Sequence, residues 1–370
     1  PWEMYETYGD IRILKKCYDM MKKWVEYQSS TDRRNYGVRT VDGKEVPEQS
    51  DLATIPYIQV QQCRGDHLTY DNSTPYIYSA TAYAAHSADI LRRTAYILGK
   101  TDDEKRYTEL FENIKRAFND AWVNDDGSVS YYGEVSSQTA HCGESVALDG
   151  SVTRYTYYAE NTPHCPSQTA YALAVDFDLI PKDKLKNTRK YFKNSILRNN
   201  GKLTVGFLGI SHLAPALSKV GLDDVAFKLL EQEDNPSWLY SVKNGATTIW
   251  ERWNSYIAET GTFGDVSMNS FNHYSYGAIG QWFFTDILGI RPVEFGYKSF
   301  MLSPKFGGGL TYAKGSFTSP YGKISSAWKL HDGKFTYDCT VPTNTTATLK
   351  LPNGDIHTLV GGSYHFEINV

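Results

Sequence analysis

Glu251 stands in the run Thr248 to Ser255, TIWERWNS, between Trp250 and Trp253 and next to Arg252. Cleaving a glycosidic bond needs one carboxylic acid to protonate the leaving oxygen and one carboxylate to activate water or attack the sugar. Flanking indoles exclude water, hold the apolar face of a sugar and raise the pKa of an enclosed carboxyl group, so Trp250 and Trp253 suit Glu251 to such chemistry. Plainer readings compete: an ion pair with Arg252 or another base, a cap on a helix, and ordinary packing for at least one tryptophan. Further carboxylates in similar surroundings are Asp66, Asp71, Glu134, Glu144, Glu160, Glu259 and Asp265. Most of these read as solvated or capping groups, with Asp71 to Ser73 a turn and helix entry, and Asp66, behind Gly65, is the one retained as a candidate. His273 follows Asn272 in FNHYSYG, where a lone histidine is more often a satisfied core residue. His141, Cys142, Glu144, His164 and Cys165 lack the spacing of a metal site, so no metal or cofactor is expected.

The elements that must position these residues are helical. WEMYETYGD with IRILKKCYDMMKKWVEY, then ATAYAAHSADILRRTAYILGKTDDEKRYTELFENIKRAFNDAW, read as antiparallel helical hairpins with short turns. Two more follow in SQTAYALAVDFDLIPKDKLKNTRKYFKNSIL and GISHLAPALSKVGLDDVAFKLLEQ, which makes a repeat architecture. The first helix of most pairs is rich in Ala, Ser and Thr, and the second is charged on one face. That asymmetry predicts an inner ring of buried helices and an outer ring of half-exposed ones. Residues 269–289 read as a fifth inner helix, with His273 at its start and pointing near the axis. The set falls short of a closed (α/α)6 barrel at its N-terminal side, so the chain is expected to be a fragment. Long connections, about residues 28–74, 123–166 and 233–267, would all emerge at one rim, where long loops are usually functional. From Gly296 the pattern changes to period two with Asp-Gly, Asn-Gly and Gly-Gly turns, which predicts a small antiparallel β-sandwich. The division is therefore a barrel domain over 1–290 and a sandwich over 291–370, the latter a structural module.

The 370 residues, 41% of them apolar, can bury a large core. A formal charge of −4 with interspersed signs offers no basic stripe for nucleic acid. No apolar run approaches the roughly 20 residues that span a bilayer. Five cysteines without C-x-x-C spacing read as isolated thiols, with a Cys142–Cys165 bridge as the alternative. The aromatic share of 14%, with 28 tyrosines, points to a tyrosine-rich core and more weakly to carbohydrate.

The runs WEMYETYGD, RGDHL, TAYAAHSADILRRTAYILG, SQTAYALA, VGFLGISHL, PSWLYSVKNGATTIWERWNS, MNSFNHYSYGAIGQW and SPKFGGGLTYAKGSFTSPYGKI span nearly the whole chain. Together they make the sequence resemble the bacterial α-L-rhamnosidases of glycoside hydrolase family 78. The resemblance implies a six-hairpin α/α barrel with a C-terminal β-sandwich, acting by inversion on terminal α-L-rhamnose in glycosides or polysaccharides. Glu251 would match the general base and His273 a residue that hydrogen-bonds the sugar, with Asp66, His67, Trp250, Trp253 and Asn272 as further substrate contacts. Family habit implies a secreted or periplasmic location. Two departures stand out. The general acid belongs to a motif upstream of the match to Pro1, and His67 replaces the tryptophan that usually follows Gly-Asp. Alternatives are an inverting barrel hydrolase acting on fucosides or uronides, for which Arg64 and Arg252 are the available cations, and a non-catalytic carbohydrate-binding relative.

Overall fold

The computed structural model describes residues 1–30, 56–59, 65–70, 74–130 and 166–370, with the backbone of four short strands at 38–41, 44–47, 141–146 and 152–157. The expectations placed on Arg64, Asp71, Ser73, Glu134, Glu160, His164 and Cys165, and on the side chains of His141, Cys142 and Glu144, lie outside the described residues.

Four helical hairpins follow one another. Helix α1 (Trp2–Tyr8) ends at Gly9, whose φ of 66° is the left-handed conformation that stops a helix. Asp10 then accepts the Arg12 N–H at 3.0 Å and starts α2 (Ile11–Ser29). The later pairs are α3 (Tyr76–Ile97) with α4 (Thr101–Trp122), α5 (Gln168–Asp176) with α6 (Leu185–Leu197), and α7 (Phe207–Lys219) with α8 (Asp223–Leu230). Every residue of α5 from Gln168 to Val175 is buried, and α3 buries Ala82, Ala84, Ala85 and Ala88. Small side chains let these inner helices lie against one another, α3 on α5 and α5 on α7. Helices α4 and α6 each bury a single stripe, as amphipathic outer helices do, whereas α8 buries Val225, Ala226, Phe227 and Leu229 and exposes only Asp224 and Lys228.

Each long connection carries a short antiparallel ribbon: β1 (Val38–Val41) with β2 (Lys44–Pro47), β3 (His141–Val146) with β4 (Val152–Tyr157), and β5 (Tyr256–Ile257) with β6 (Thr262–Phe263). The third also holds a short helix, α9 (Trp238–Lys243), capped by the Ser237 hydroxyl accepting the Tyr240 N–H at 3.0 Å.

The fifth inner helix is not the continuous element expected. Residues 269–274 are loop, Ser275–Ala278 form a 3-10 turn, α10 is only Ile279–Trp282, and Phe283–Ile287 widen into a π-turn. Gly277 and Gly280 lower helix propensity in this stretch, which explains its irregular winding. His273 therefore sits on the loop before the turn.

Two four-stranded sheets follow. The strands are β7 (Ile290–Pro292), β8 (Ser299–Leu302), β9 (Tyr312–Ser319), β10 (Gly322–His331), β11 (Lys334–Val341), β12 (Thr346–Lys350), β13 (Ile356–Leu359) and β14 (Gly362–Asn369). One sheet runs β14-β11-β10-β9, wholly antiparallel, and the other β13-β12-β8-β7, in which β8 and β12 are parallel. The parallel pair departs from the expected all-antiparallel pattern. A crossover through the first sheet separates β8 from β12, and no tight turn could join them in parallel. Trp328 and Ser326 of β10 reach the helical part, donating to the carbonyls of Ile287 and Leu288 at 2.9 and 2.7 Å.

Candidate active site

Glu251 lies in a loop segment that is laced to a second one. Its N–H donates to the Ser270 carbonyl at 2.8 Å, and the Ser270 N–H donates back to Glu251 Oε2 at 2.7 Å. Next along the pair of segments, the His273 N–H donates to the Ile249 carbonyl at 2.8 Å, and the Thr248 hydroxyl donates to the Phe271 carbonyl. Glu251 and His273, far apart in sequence, are thus neighbours on a two-segment ribbon. Among the described residues Oε1 of Glu251 has no hydrogen-bond partner.

The plainer readings of Glu251 do not hold. Arg252 pairs with Asp265 at 2.9 Å and donates through Nε to the Met268 carbonyl at 2.8 Å. Asp265 also accepts from the backbone and hydroxyl of Ser267 at 2.7 and 2.8 Å, and these hydroxyl and amide donors hold its carboxyl below the usual range. Arg252 is therefore engaged within its own loop, and Glu251 begins no helix.

Behind the ribbon is a row of rings. Phe207 stacks on His273 with centroids 4.8 Å apart and planes 20° from parallel, and it meets His67 edge-on at 5.5 Å. Tyr276 lies edge-on to Phe207 at 5.5 Å and stacks on Trp253 at 3.8 Å. Burial, followed by the Asp66 charge, pushes the Tyr276 hydroxyl far up, and that hydroxyl donates to the Leu68 carbonyl at 3.1 Å. Trp253 is 3% exposed and donates its ring N–H to the Val205 carbonyl at 2.9 Å, so it is a packing residue with no face for a sugar. Trp250, 6% exposed, meets Phe271 edge-on at 5.2 Å and forms one wall of a cavity of about 400 Å³ with Thr248, Tyr256 and Phe271. Asn272 is exposed beside His273.

Asp66 is buried and fully engaged. Its oxygens accept from the N–H groups of Gly206, Leu208 and Gly209 at 2.9, 2.8 and 3.0 Å and from the Thr169 hydroxyl. It caps the N-terminus of α7, where free backbone donors and the helix dipole favour a carboxylate. Burial nevertheless pushes its carboxyl pKa up against the pull of these donors. Gly206 permits this approach, since a Cβ there would collide with the carbonyl oxygens of His67 and Asp66. The expected sugar contact at Asp66 is thus a brace under His67 and Phe207.

Sequence reasoning passed over Ser270, Phe207 and Asp265 as parts of the site. Ser270 acts through its backbone, which no side-chain pattern reveals, and a phenylalanine at a helix start reads as core. No group of three His, Cys, Asp or Glu side chains among the described residues could hold a metal ion. No described helix is long and apolar enough to cross a membrane.

Paired inner and outer helices joined by long loops, followed by two four-stranded sheets, define a helical-hairpin architecture with an appended sandwich. The model for the bacterial alpha-L-rhamnosidase 6 hairpin glycosidase domain matches residues 1–287, and that for the bacterial alpha-L-rhamnosidase C-terminal domain matches residues 289–366. The chain belongs to the bacterial α-L-rhamnosidase family. It is 33% identical over 361 residues to an alpha-L-rhamnosidase of Formosa agariphila, covering 97% of this chain and 34% of that protein. With an alpha-L-rhamnosidase of Streptomyces avermitilis it shares 34% identity over 353 residues, covering 95% of this chain and 28% of that one. The crystal structure of a Streptomyces avermitilis alpha-L-rhamnosidase complexed with L-rhamnose superposes with a TM-score of 0.80 at 31% identity, covering 100% of this chain and 32% of that one. The native enzyme from Aspergillus terreus gives 0.77 at 28% identity, covering 100% and 38%. The chain spans about a third of the length of the curated relatives it matches.

Proposed function

We propose that the protein hydrolyses terminal α-L-rhamnosyl residues of glycosides or polysaccharides with inversion, and that Glu251 is the general base. The observation that carries this reading is the ribbon that sets Glu251 beside His273. Its Oε2 is tied to the Ser270 N–H, and Oε1 is left to take a proton from water. His273 and Asn272 contact the sugar, while His67 presents a polar edge where, as the resemblance implies, an indole would be expected. Asp66 and Trp253 support these groups from beneath, and Trp250 walls the loop. The general acid, as the resemblance implies, lies outside these residues. A secreted or periplasmic location belongs to the same reading, and cell fractionation tests it.

Arg252 is bound to Asp265 and the Met268 carbonyl, which disfavours a uronide pocket built on that cation. Titration calorimetry of this chain with L-rhamnose, L-fucose and D-glucuronate tests the reading. Selective binding of L-rhamnose is expected. Preference for fucose or glucuronate would overturn it.

A further inference from the structure

His273 has two ring nitrogens, and which one faces the ligand decides what it can do there. The Ser275 N–H points at Nδ1 from 3.3 Å, so Nδ1 is the acceptor. In a neutral imidazole the proton then sits on Nε2. Nε2 has no hydrogen-bond partner among the described residues. The plane of the imidazole is set by two rings that stack on it, Phe207 at 4.8 Å and 20° and Tyr274 at 5.2 Å and 11°. Tyr274 is 86% exposed, so Phe207 is the firmer of the two. Phe207 is itself fixed: its N–H donates to the His67 carbonyl at 2.9 Å, its ring meets those of His67 and Tyr276 edge-on, and its helix is capped by Asp66.

We propose that Phe207 is a positioning residue: its ring holds the His273 plane where the Ser275 N–H reaches Nδ1, that hydrogen bond keeps the proton on Nε2, and the Nε2–H is presented to a hydroxyl oxygen of a neutral sugar. The sugar as ligand rests on the reading above; the clamp itself does not. An N–H donor in a fixed plane selects an acceptor oxygen by direction.

Long-range proton–nitrogen NMR of the whole chain at pH 8, with His273 assigned by His273→Asn, reads the tautomer directly. The expected pattern is Nε2–H; an Nδ1–H pattern overturns the proposal. In Phe207→Leu the His273 signals should move to a mixture of tautomers, and L-rhamnose affinity should fall about fivefold, the worth of one neutral hydrogen bond. Phe207→Tyr should restore both, and unchanged amide signals from β10 confirm that the variants are folded. An unchanged tautomer in Phe207→Leu overturns the positioning role. Should the wild-type chain bind no L-rhamnose while the tautomer still follows Phe207, the clamp stands and the rhamnose assignment falls.

Discussion

Glu251 owes its orientation to a backbone N–H, that of Ser270, rather than to the arginine beside it. Arg252 acts one step removed, because its guanidinium joins Asp265 to the Met268 carbonyl and so anchors the segment that delivers Ser270. Removing a charge-assisted hydrogen bond of this kind costs about 1–2 kcal/mol, or roughly tenfold in a local opening equilibrium. Arg252→Gln should therefore speed amide exchange at Ser270 about tenfold while leaving the amides of β10 unchanged, which hydrogen exchange measures. The sequence marks Glu251 as a candidate because a carboxylate among tryptophans is unusual in type, whereas His273 by residue type reads as a core histidine and becomes a candidate sugar contact only through the family resemblance. It hides Ser270 and the Arg252–Asp265 pair, since a backbone donor has no residue signature and a pairing across a loop depends on how that loop closes.

Helix α7 illustrates the same limit among elements. Its apolar pattern and short turn to α8 are legible, and so are the glycines that end α1 and turn the sandwich hairpins. Its cap is not. Asp66 lies 140 residues before Gly206, and local capping signatures reach only a few residues. The irregular winding of 275–287 was hidden for a related reason: its apolar spacing fits a helix, and only the paired glycines warn against a regular one. Asp66→Ala would leave three backbone N–H groups without partners, those of Gly206 and Gly209 buried and that of Leu208 half-buried, so a loss of about 2–4 kcal/mol is expected in denaturant unfolding. L-rhamnose affinity should fall with it, because His67 and Phe207 rest on this cap.

Across the whole molecule, the hairpin series and the change of period near residue 296 were readable because each repeats a strong pattern. The parallel pairing of β8 with β12 was not, since strand order depends on contacts remote in sequence. One pH dependence follows from how the inner helices meet. His86 of α3 stacks on Phe177 at 4.1 Å, and burial first, then the nearby His212 and Arg93, push its pKa down to about 4 against the opposite pull of Asp89 and Asp176. The unfolded chain takes up this proton near pH 6.5 and the folded one only near 4, so folding stability should decline as pH falls through that window. The contribution is up to about 3 kcal/mol. Unfolding curves between pH 7 and pH 4 should show this decline, and His86→Asn should flatten it.

As a general base, Glu251 takes a proton from the attacking water. Turnover of an aryl α-L-rhamnoside by Glu251→Gln, measured with the general acid present and set beside L-rhamnose affinity, tests this role most directly. A fall in kcat of about 10²–10⁴ with affinity nearly unchanged is expected, since the amide keeps the shape of the side chain but cannot accept the proton. Turnover retained near the wild-type rate would contradict the role.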